Sequence, residues 1–342
     1  MSEGGRSPSE SESPEMLVMR LVTGHWCAAA VHVAARFGVF DAIADSEIEF
    51  ETLASRVGAH APSLLRLLRA LAPAGLLAEP SPGRFALTGA GQLLRSDHPG
   101  SFRAYSLFQG AWPHWSSWGH LSHSVRTGES AYRHVFGKNF YEYCATDPEF
   151  AGWFDEALSR MSRNPADALC DMYPFGKARE IVDVGGGLGT VLLQILGRYP
   201  HLRGTLLELP PVARPAREFI GARGMADRCR VVEGDFFTSI PGGDLLLAKN
   251  ILHNWSDEEV GVLLSRMREA VTPDGCLLFI TLLLGAGNDS AWLRLTDLEM
   301  LHIGGRQRTQ DELEGLCARA RLRVSDVQAL GTGHFAVEVK PM

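Results

Sequence analysis

Apolar and polar positions follow two regimes along the chain. Between residues 16 and 44 the apolar residues recur at helical spacing, from Leu17 and Leu21 through Ala28, Val31 and Ala34 to Val39 and Phe40, with Gly38 as a break. They occupy more than one helix face, a pattern that needs a partner surface, and a second subunit would supply it. Residues 50–77 read helix, turn, helix, and F-A-L-T at 85–88 follows as a short strand or wing. Residues 95–170 are aromatic-rich and helical in tone, with Trp112, Trp115 and Trp118 three apart near one helix face. After Pro174 the regime changes to apolar runs of strand length at 180–184, 204–209, 230–236, 244–249 and 275–281, separated by helical stretches. Continuous apolar strands alternating with helices predict a mostly parallel sheet covered on both faces, whose ligands sit at the carboxyl ends of the strands.

Composition narrows the function classes. A chain of 342 residues with 45% hydrophobic and 21% charged residues has enough core for two globular domains. Apart from Met1 and Arg6, residues 1–15 are Ser, Glu, Gly and Pro without an apolar segment, so they read as a disordered tail and not a secretory leader; with no membrane span in the pattern, a cytoplasmic protein is expected. A net charge of −7 argues against a broad nucleic-acid face. Helix-turn-helix with a wing is a DNA-binding arrangement in many regulators, but here the second helix offers only Arg66 and Arg69. The six cysteines are scattered without zinc-ligand spacing, and most read as small core residues in a reducing cytoplasm. Lysine occurs only at 138, 177, 249 and 340, which singles out Lys249 at the end of a strand.

The first strand of the second regime runs into D-V-G-G-G-L-G, 183–189. Glycines there let a ligand lie against the backbone at a helix start. A dinucleotide fingerprint fails, since its third glycine would fall on Thr190 or Leu192. Glu208, closing the second strand, suits a ribose diol; Asp235, read as ending the third strand, suits an adenine amino group, with Phe236 packing on the base. Carboxylates at successive strand ends favour an adenosine ligand carrying positive charge over a pyrophosphate. S-adenosylmethionine fits that description.

D-V-G-G-G-L-G, L-L-E-L-P, G-D-F-F, K-N-I-L-H-N-W-S-D-E-E and G-G-R-Q-R-T together resemble the class I S-adenosylmethionine-dependent O-methyltransferases of small aromatic molecules, in the branch with a winged-helix dimerisation domain. The resemblance implies a Rossmann-like seven-stranded sheet, an α-helical N-terminal dimerisation domain and a homodimer. It implies a phenolic substrate held between the domains, secondary-metabolite or antibiotic biosynthesis, and no catalytic metal. The corresponding division is 1–15 tail, 16–100 dimerisation and winged helix, 101–172 helical substrate-pocket segment and 173–342 cofactor-binding catalytic domain. Carried over by position, Asp183, Gly185, Gly187, Glu208, Leu209, Gly234, Asp235, Phe236 and Lys249 form the implied cofactor site, and His253 the general base. Trp112, Trp115, Phe154, Leu158, Met161, Asn254, Met300 and His302 are the implied substrate contacts.

An imidazole just beyond a strand end can take a phenol's proton as the methyl–oxygen bond forms. Ser256 and Glu259 read as a capping box, with Asp257 and Glu258 favouring the positive end of the same helix, and Trp255 as packing. Family members flank the histidine with two glutamates, and here Thr281 and Gln307 stand in those places. Neither supplies the charge that stabilises imidazolium, so the base should be weaker. Three readings stay open: an acidic acceptor that needs little help, Asp297 in place of the lost carboxylate, or chemistry at nitrogen or carbon or without methyl transfer. M-L-H-I-G-G is short, which leaves His302 between pocket and surface.

Overall fold

The computed structural model describes residues 13–285, 290–331 and 333–342. They fall into two units, one ending at Ala111 and the other beginning at Trp112. The expected boundary at 100/101 lies ahead of this division because the helix after it, Arg103–Gly110, packs on Gly24–Arg36: a Cβ on Gly110 would meet His32 at 2.3 Å. Most of the expected 1–15 tail lies outside the described residues, while Pro14 and Glu15 already belong to a helix capped by Ser13.

The first unit contains α1 (Pro14–Val22), α2 (Gly24–Arg36), α3 (Val39–Ile43), β1 (Ile48–Glu49), α4 (Phe50–Val57), α5 (Ala61–Leu71), β2 (Leu77–Ser81), β3 (Arg84–Leu87), α6 (Gly89–Gln92) and α7 (Arg103–Gly110). Gly38, at a φ of 71°, makes the predicted break before α3. The three short strands pair in the order β1-β3-β2 behind α4 and α5, which is the helix-turn-helix and wing of the sequence. Arg69 on α5 is tied to Glu79 on β2 at 2.9 Å, so one of the two basic side chains available for phosphate is already neutralised. Along α1 and α2 the apolar side chains Met16, Val18, Met19, Leu21, Val22 and Trp26 are exposed.

The second unit opens with helices α8 (Trp112–Trp118), α9 (Leu121–Thr127), α10 (Ala131–Phe136), α11 (Phe140–Cys144), α12 (Pro148–Met161) and α13 (Arg163–Met172). The sheet region follows as β4 (Glu180–Val184), α14 (Thr190–Arg198), β5 (Arg203–Glu208), α15 (Pro210–Gly221), β6 (Cys229–Glu233), β7 (Gly243–Lys249), α16 (Asp257–Ala270), β8 (Val271–Leu284), α17 (Ala291–Ile303), β9 (Arg308–Thr309), α18 (Gln310–Arg319), β10 (Leu322–Ala329) and β11 (His334–Pro341). The strand order is β10-β11-β8-β7-β4-β5-β6, with β9 added to β8. β6, β5, β4, β7 and β8 run parallel, and β11 is antiparallel to its neighbours β8 and β10. Chain order reverses between β4 and β7, which opens a crevice at their carboxyl ends. Two cores, one on each face, bury the strands: Leu206, Leu247 and Ile280 on one side, Val182, Leu246 and Phe279 on the other. The third strand is shorter than the sequence reading. It ends at Glu233, so Asp235 lies in the following loop.

Candidate active site

The glycine loop emerges from β4 into that crevice. Gly185 and Gly187 have φ of 68° and 62°, a region that costs a side-chain-bearing residue about 1 kcal/mol or more. A Cβ on Gly187 would meet nothing within 4 Å, so its outer side is open to a ligand. Gly186 is different: a Cβ there would strike Asp183 Oδ2 at 2.1 Å, because the Asp183 carboxylate lies directly beneath the loop. Asp183 is fully buried on β4, and neither of its oxygens has a hydrogen-bond partner among the described residues. Glu208 braces the loop from β5: Oε1 accepts the Gly187 N–H at 2.7 Å and Oε2 accepts the N–H of Leu209 at 3.0 Å.

Burial and mutual repulsion govern the charges here. Burial pushes Asp183 up to about 7, with Glu208 adding repulsion and Lys249 partly offsetting it. Glu208 is also pushed up to about 7 by burial, against the pull of its two backbone donors. Lys249, at the end of β7, is brought down to about 8 by burial, with Asp183 opposing. Two buried carboxylates against one lysine leave the crevice short of positive charge. A ligand bearing a sulfonium and an ammonium would return both acids to their ionised state. The unpartnered Asp183 oxygens, the Glu208 carboxylate and the open face of Gly187 therefore fit an adenosine-type cation.

The adenine end is less enclosed. Asp235 is exposed, and its Oδ1 accepts the Phe237 N–H at 2.9 Å, so it shapes the turn after β6. Gly234 donates to the Glu208 carbonyl at 3.0 Å, and Leu209 is exposed beside it. Phe236 reaches the glycine loop, its Cε1 within 3.4 Å of a Cβ built on Gly185, with Ile251 on the same side. Trp255 stands edge-on to Phe236 and Phe237, and Tyr141 from α11 stacks on it at 5.8 Å and 19°. Tyr141 and the nearby Asp155, whose carboxyl burial pushes up to about 6, were not found from the sequence; both lie in the 95–170 stretch, whose pattern shows only aromatic-rich helices.

His253 sits in a single 3₁₀ turn, residues 252–254, between β7 and α16. Asn250 enters that turn at a φ of 54°, and its carbonyl accepts the Asn254 side chain at 2.9 Å. The segment 305–308 clamps the turn from above. Gly305 lies so close that a Cβ would meet the His253 carbonyl oxygen at 2.0 Å. The Arg306 N–H donates to that same carbonyl at 2.8 Å. Buried Arg308 donates to the carbonyls of Leu252 at 2.6 Å and Trp255 at 2.8 Å, and to Asp257 at 2.8 Å. The Gln307 amide lies 3.1 Å from His253 Nδ1. The capping box of Ser256 and Glu259 starts α16 as expected, and Asp257 has the further task of holding Arg308.

Burial, with repulsion from Lys249, drives His253 down to about 3, and Gln307 restores only part of the loss. Burial therefore favours the neutral imidazole. Asp297 acts on the imidazole at one remove: its Oδ1 accepts the Gln307 backbone N–H at 2.8 Å and fixes the residue that reaches His253. Buried Thr281 donates its hydroxyl to the Leu282 carbonyl at 3.2 Å.

The implied substrate contacts divide. Trp115, Phe154 and Met161 are half-buried and Met300 is buried, whereas Trp112 is 73% exposed and Leu158 is exposed. Phe154 packs on Phe140 at 4.8 Å. His302, which the sequence left between pocket and surface, is fully buried against His114 and Trp118, which excludes the surface position.

With this geometry in place, the likenesses to known proteins fall into line. Models of the O-methyltransferase domain and the O-methyltransferase dimerisation domain match residues 118–323 and 19–97. The chain is 34% identical to a phenazine O-methyltransferase of Lysobacter antibioticus over 95% of this chain and 96% of that protein. It is 36% identical to an aclacinomycin 10-hydroxylase of Streptomyces purpurascens, over 89% of this chain and 83% of the other. The solved mitomycin 7-O-methyltransferase superposes with a TM-score of 0.91 at 37% identity, covering 96% of this chain and 98% of that one. Solved neighbours also include complexes with S-adenosylmethionine and with S-adenosylhomocysteine.

Proposed function

Because the chain belongs to the S-adenosylmethionine-dependent O-methyltransferase family, we propose that it methylates a hydroxyl of an aromatic small molecule in the biosynthesis of an antibiotic or related secondary metabolite, with His253 as general base. The cofactor is S-adenosylmethionine, and it supplies an electrophilic methyl group. The observation that carries the reading is the His253 imidazole held by the 305–308 clamp, with Gln307 at 3.1 Å from its Nδ1, beside a crevice of buried carboxylates. Asp183, Glu208, Phe236 and Lys249 bind the cofactor, Gly185 and Gly187 let it lie on the backbone, and Asp235 with Gly234 shapes the adenine end. His253 holds the acceptor's proton as its oxygen becomes a nucleophile, and Gln307 orients the ring. Trp115, Phe154, Met161, Asn254 and Met300 form the aromatic acceptor's surroundings.

The dimerisation domain joins two copies of the chain through α1 and α2, whose apolar side chains are exposed. Among the described residues no single helix is long and apolar enough to cross a membrane. α1 and α2 pass only as a bent pair, and a subunit interface accounts for their apolar character.

A second reading, methyl transfer to nitrogen or carbon or a reaction without methyl transfer, is favoured by Thr281 and Gln307 in the places of the family's glutamates and by the hydroxylase relative. Isotope transfer from labelled cofactor to a panel of phenols, compared between wild type and His253→Ala, separates the two. The first reading expects kcat to fall about 100-fold or more with cofactor binding intact. An unchanged rate in the variant, or no labelled phenol from either protein, defeats it.

A further inference from the structure

The cluster of His114, Glu299 and His302 lies outside the chemistry described so far. Asp297 and Glu299 are two residues apart on α17, which turns their side chains roughly 200° from each other around the helix. Asp297 faces the catalytic turn through Gln307, so Glu299 faces away from it, toward α8. There the Glu299 carboxylate meets His114 Nε2 at 3.2 Å through Oε1 and Trp118 Nε1 at 2.9 Å through Oε2. His302, one helical turn on from Glu299, is 0% exposed.

We propose that His114, Glu299 and His302 form a binding site for a divalent transition metal of the zinc type, tying α8 to α17. Two histidines and one carboxylate are a donor set that zinc takes, and Glu-x-x-His at i, i+3 brings two donors to one face of a helix. One ligand-capable atom from each residue lies within 4.8 Å of the others. The 3.2 Å between His114 Nε2 and Glu299 Oε1 matches the roughly 3.3–3.5 Å between neighbouring ligands of a tetrahedral ion bound at about 2.0–2.1 Å.

The surroundings are those of a metal ligand set. His302 Nδ1 donates to the Glu299 backbone carbonyl at 2.6 Å, which fixes the proton on Nδ1 and leaves Nε2 as a lone pair. That Nε2 is buried and has no hydrogen-bond partner among the described residues, a position that costs about 1–3 kcal/mol unless something accepts the lone pair. Trp118 Nε1 donates to Glu299 Oε2 at 2.9 Å and also to His114 Nε2 at 3.2 Å; an ion on Nε2 and Oε1 would take the second contact's place and leave Trp118 holding Oε2. Glu299 keeps some exposure, 18% of its side chain, which gives an ion a way in.

The test is titration of chelator-treated full-length protein with Co(II), read by its visible absorption bands, with zinc as competitor. Wild type should take up about one ion per chain and give bands of low coordination number, displaced by zinc. Glu299→Gln and His302→Ala should each weaken uptake tenfold or more, while His123→Ala, outside the cluster, should leave it unchanged. Cofactor binding by calorimetry confirms that each variant is folded, and if Glu299→Gln is not, His114→Ala on the other helix replaces it. No saturable uptake by wild type, or uptake that survives all of the cluster variants, overturns the proposal. Neither result bears on methyl transfer, which is measured separately.

Discussion

Gln307 and His253 face each other across 3.1 Å, amide to Nδ1, and the direction of that one hydrogen bond decides whether the histidine can act. With the amide nitrogen donating to Nδ1, the imidazole carries its proton on Nε2 and has no lone pair left for a substrate. With the amide turned half a revolution, Gln307 Oε1 accepts from Nδ1–H and Nε2 becomes the base. The turned orientation gives a partner to Oε1, which is otherwise buried with none among the described residues, and puts the amide nitrogen in its former place. It is the arrangement a glutamate would enforce through its charge.

Gln307→Glu should therefore strengthen the base. An added negative charge beside the ring raises the imidazole from its depressed value of about 3, and only the productive tautomer can form. At saturating cofactor, the plateau of kcat should rise by roughly 3- to 10-fold. The acid limb should move to higher pH, because a base with a raised pKa is lost earlier as pH falls. A plateau that stays level or drops would mean that proton removal from the acceptor is not helped by His253.

The crevice carboxylates make cofactor binding pH-dependent. Burial pushes Asp183 and Glu208 up to about 7, and a cationic ligand binds their ionised forms. Affinity for S-adenosylmethionine should thus increase as pH rises from 6 to about 7.5 and then level off, by about tenfold per pH unit for each acid that must ionise. Calorimetry in buffers of different ionisation enthalpy should count protons released below pH 7. S-adenosylhomocysteine, without the sulfonium charge, should show a shallower slope. Equal slopes for the two ligands would remove the electrostatic argument for Asp183.

How much of this was written in the chain depends on the range of the interaction. The sheet was legible because strands buried on both faces must be apolar throughout, and the start of α16 was legible because a capping box acts over three residues. The end of β6 was not: V-V-E-G-D continues the apolar and charged pattern, and only the fold shows that Gly234 leaves the ladder to bond the Glu208 carbonyl. Contacts between distant segments left still less trace. Gly305 gives no sign in sequence that the His253 carbonyl will lie against it, and Trp118 and Glu299 meet across a separation of 181 residues. The short M-L-H-I-G-G segment signalled that His302 was unusual, but its direction needed the helix α17.

The clamp over the catalytic turn predicts which neighbours of His253 cannot change. Gly305→Ala places a methyl 2.0 Å from the His253 carbonyl oxygen, a backbone atom that cannot swing aside, so the turn itself must move. Arg308→Met keeps much of the volume but removes the donors that hold the carbonyls of Leu252 and Trp255. Both variants should lower kcat about 100-fold, the usual penalty for a displacement near 1 Å, with cofactor affinity changed far less. Conservative Arg308→Lys should recover little, since one ammonium cannot reproduce the fork. Steady-state kinetics beside calorimetry check this, and a parallel loss of cofactor binding would show that the clamp supports the whole crevice and not the turn.

The dimer surface gives the last expectation. Leu21 and Val22 are 66% and 67% exposed at the end of α1, and Trp26 is 65% exposed one turn into α2, too much adjacent apolar area for a surface that meets only water. Replacing Leu21 and Val22 with glutamate puts like charges from both copies into a shared interface, at a cost of several kcal/mol. Light scattering on the eluted peak should show wild type at twice the chain mass and the double variant at the chain mass. The first unit's buried core is kept in either case, because none of the exposed side chains contributes to it. A double variant that still elutes as a dimer would place the subunit contact elsewhere on the chain and leave α1 to be covered by something other than its own copy.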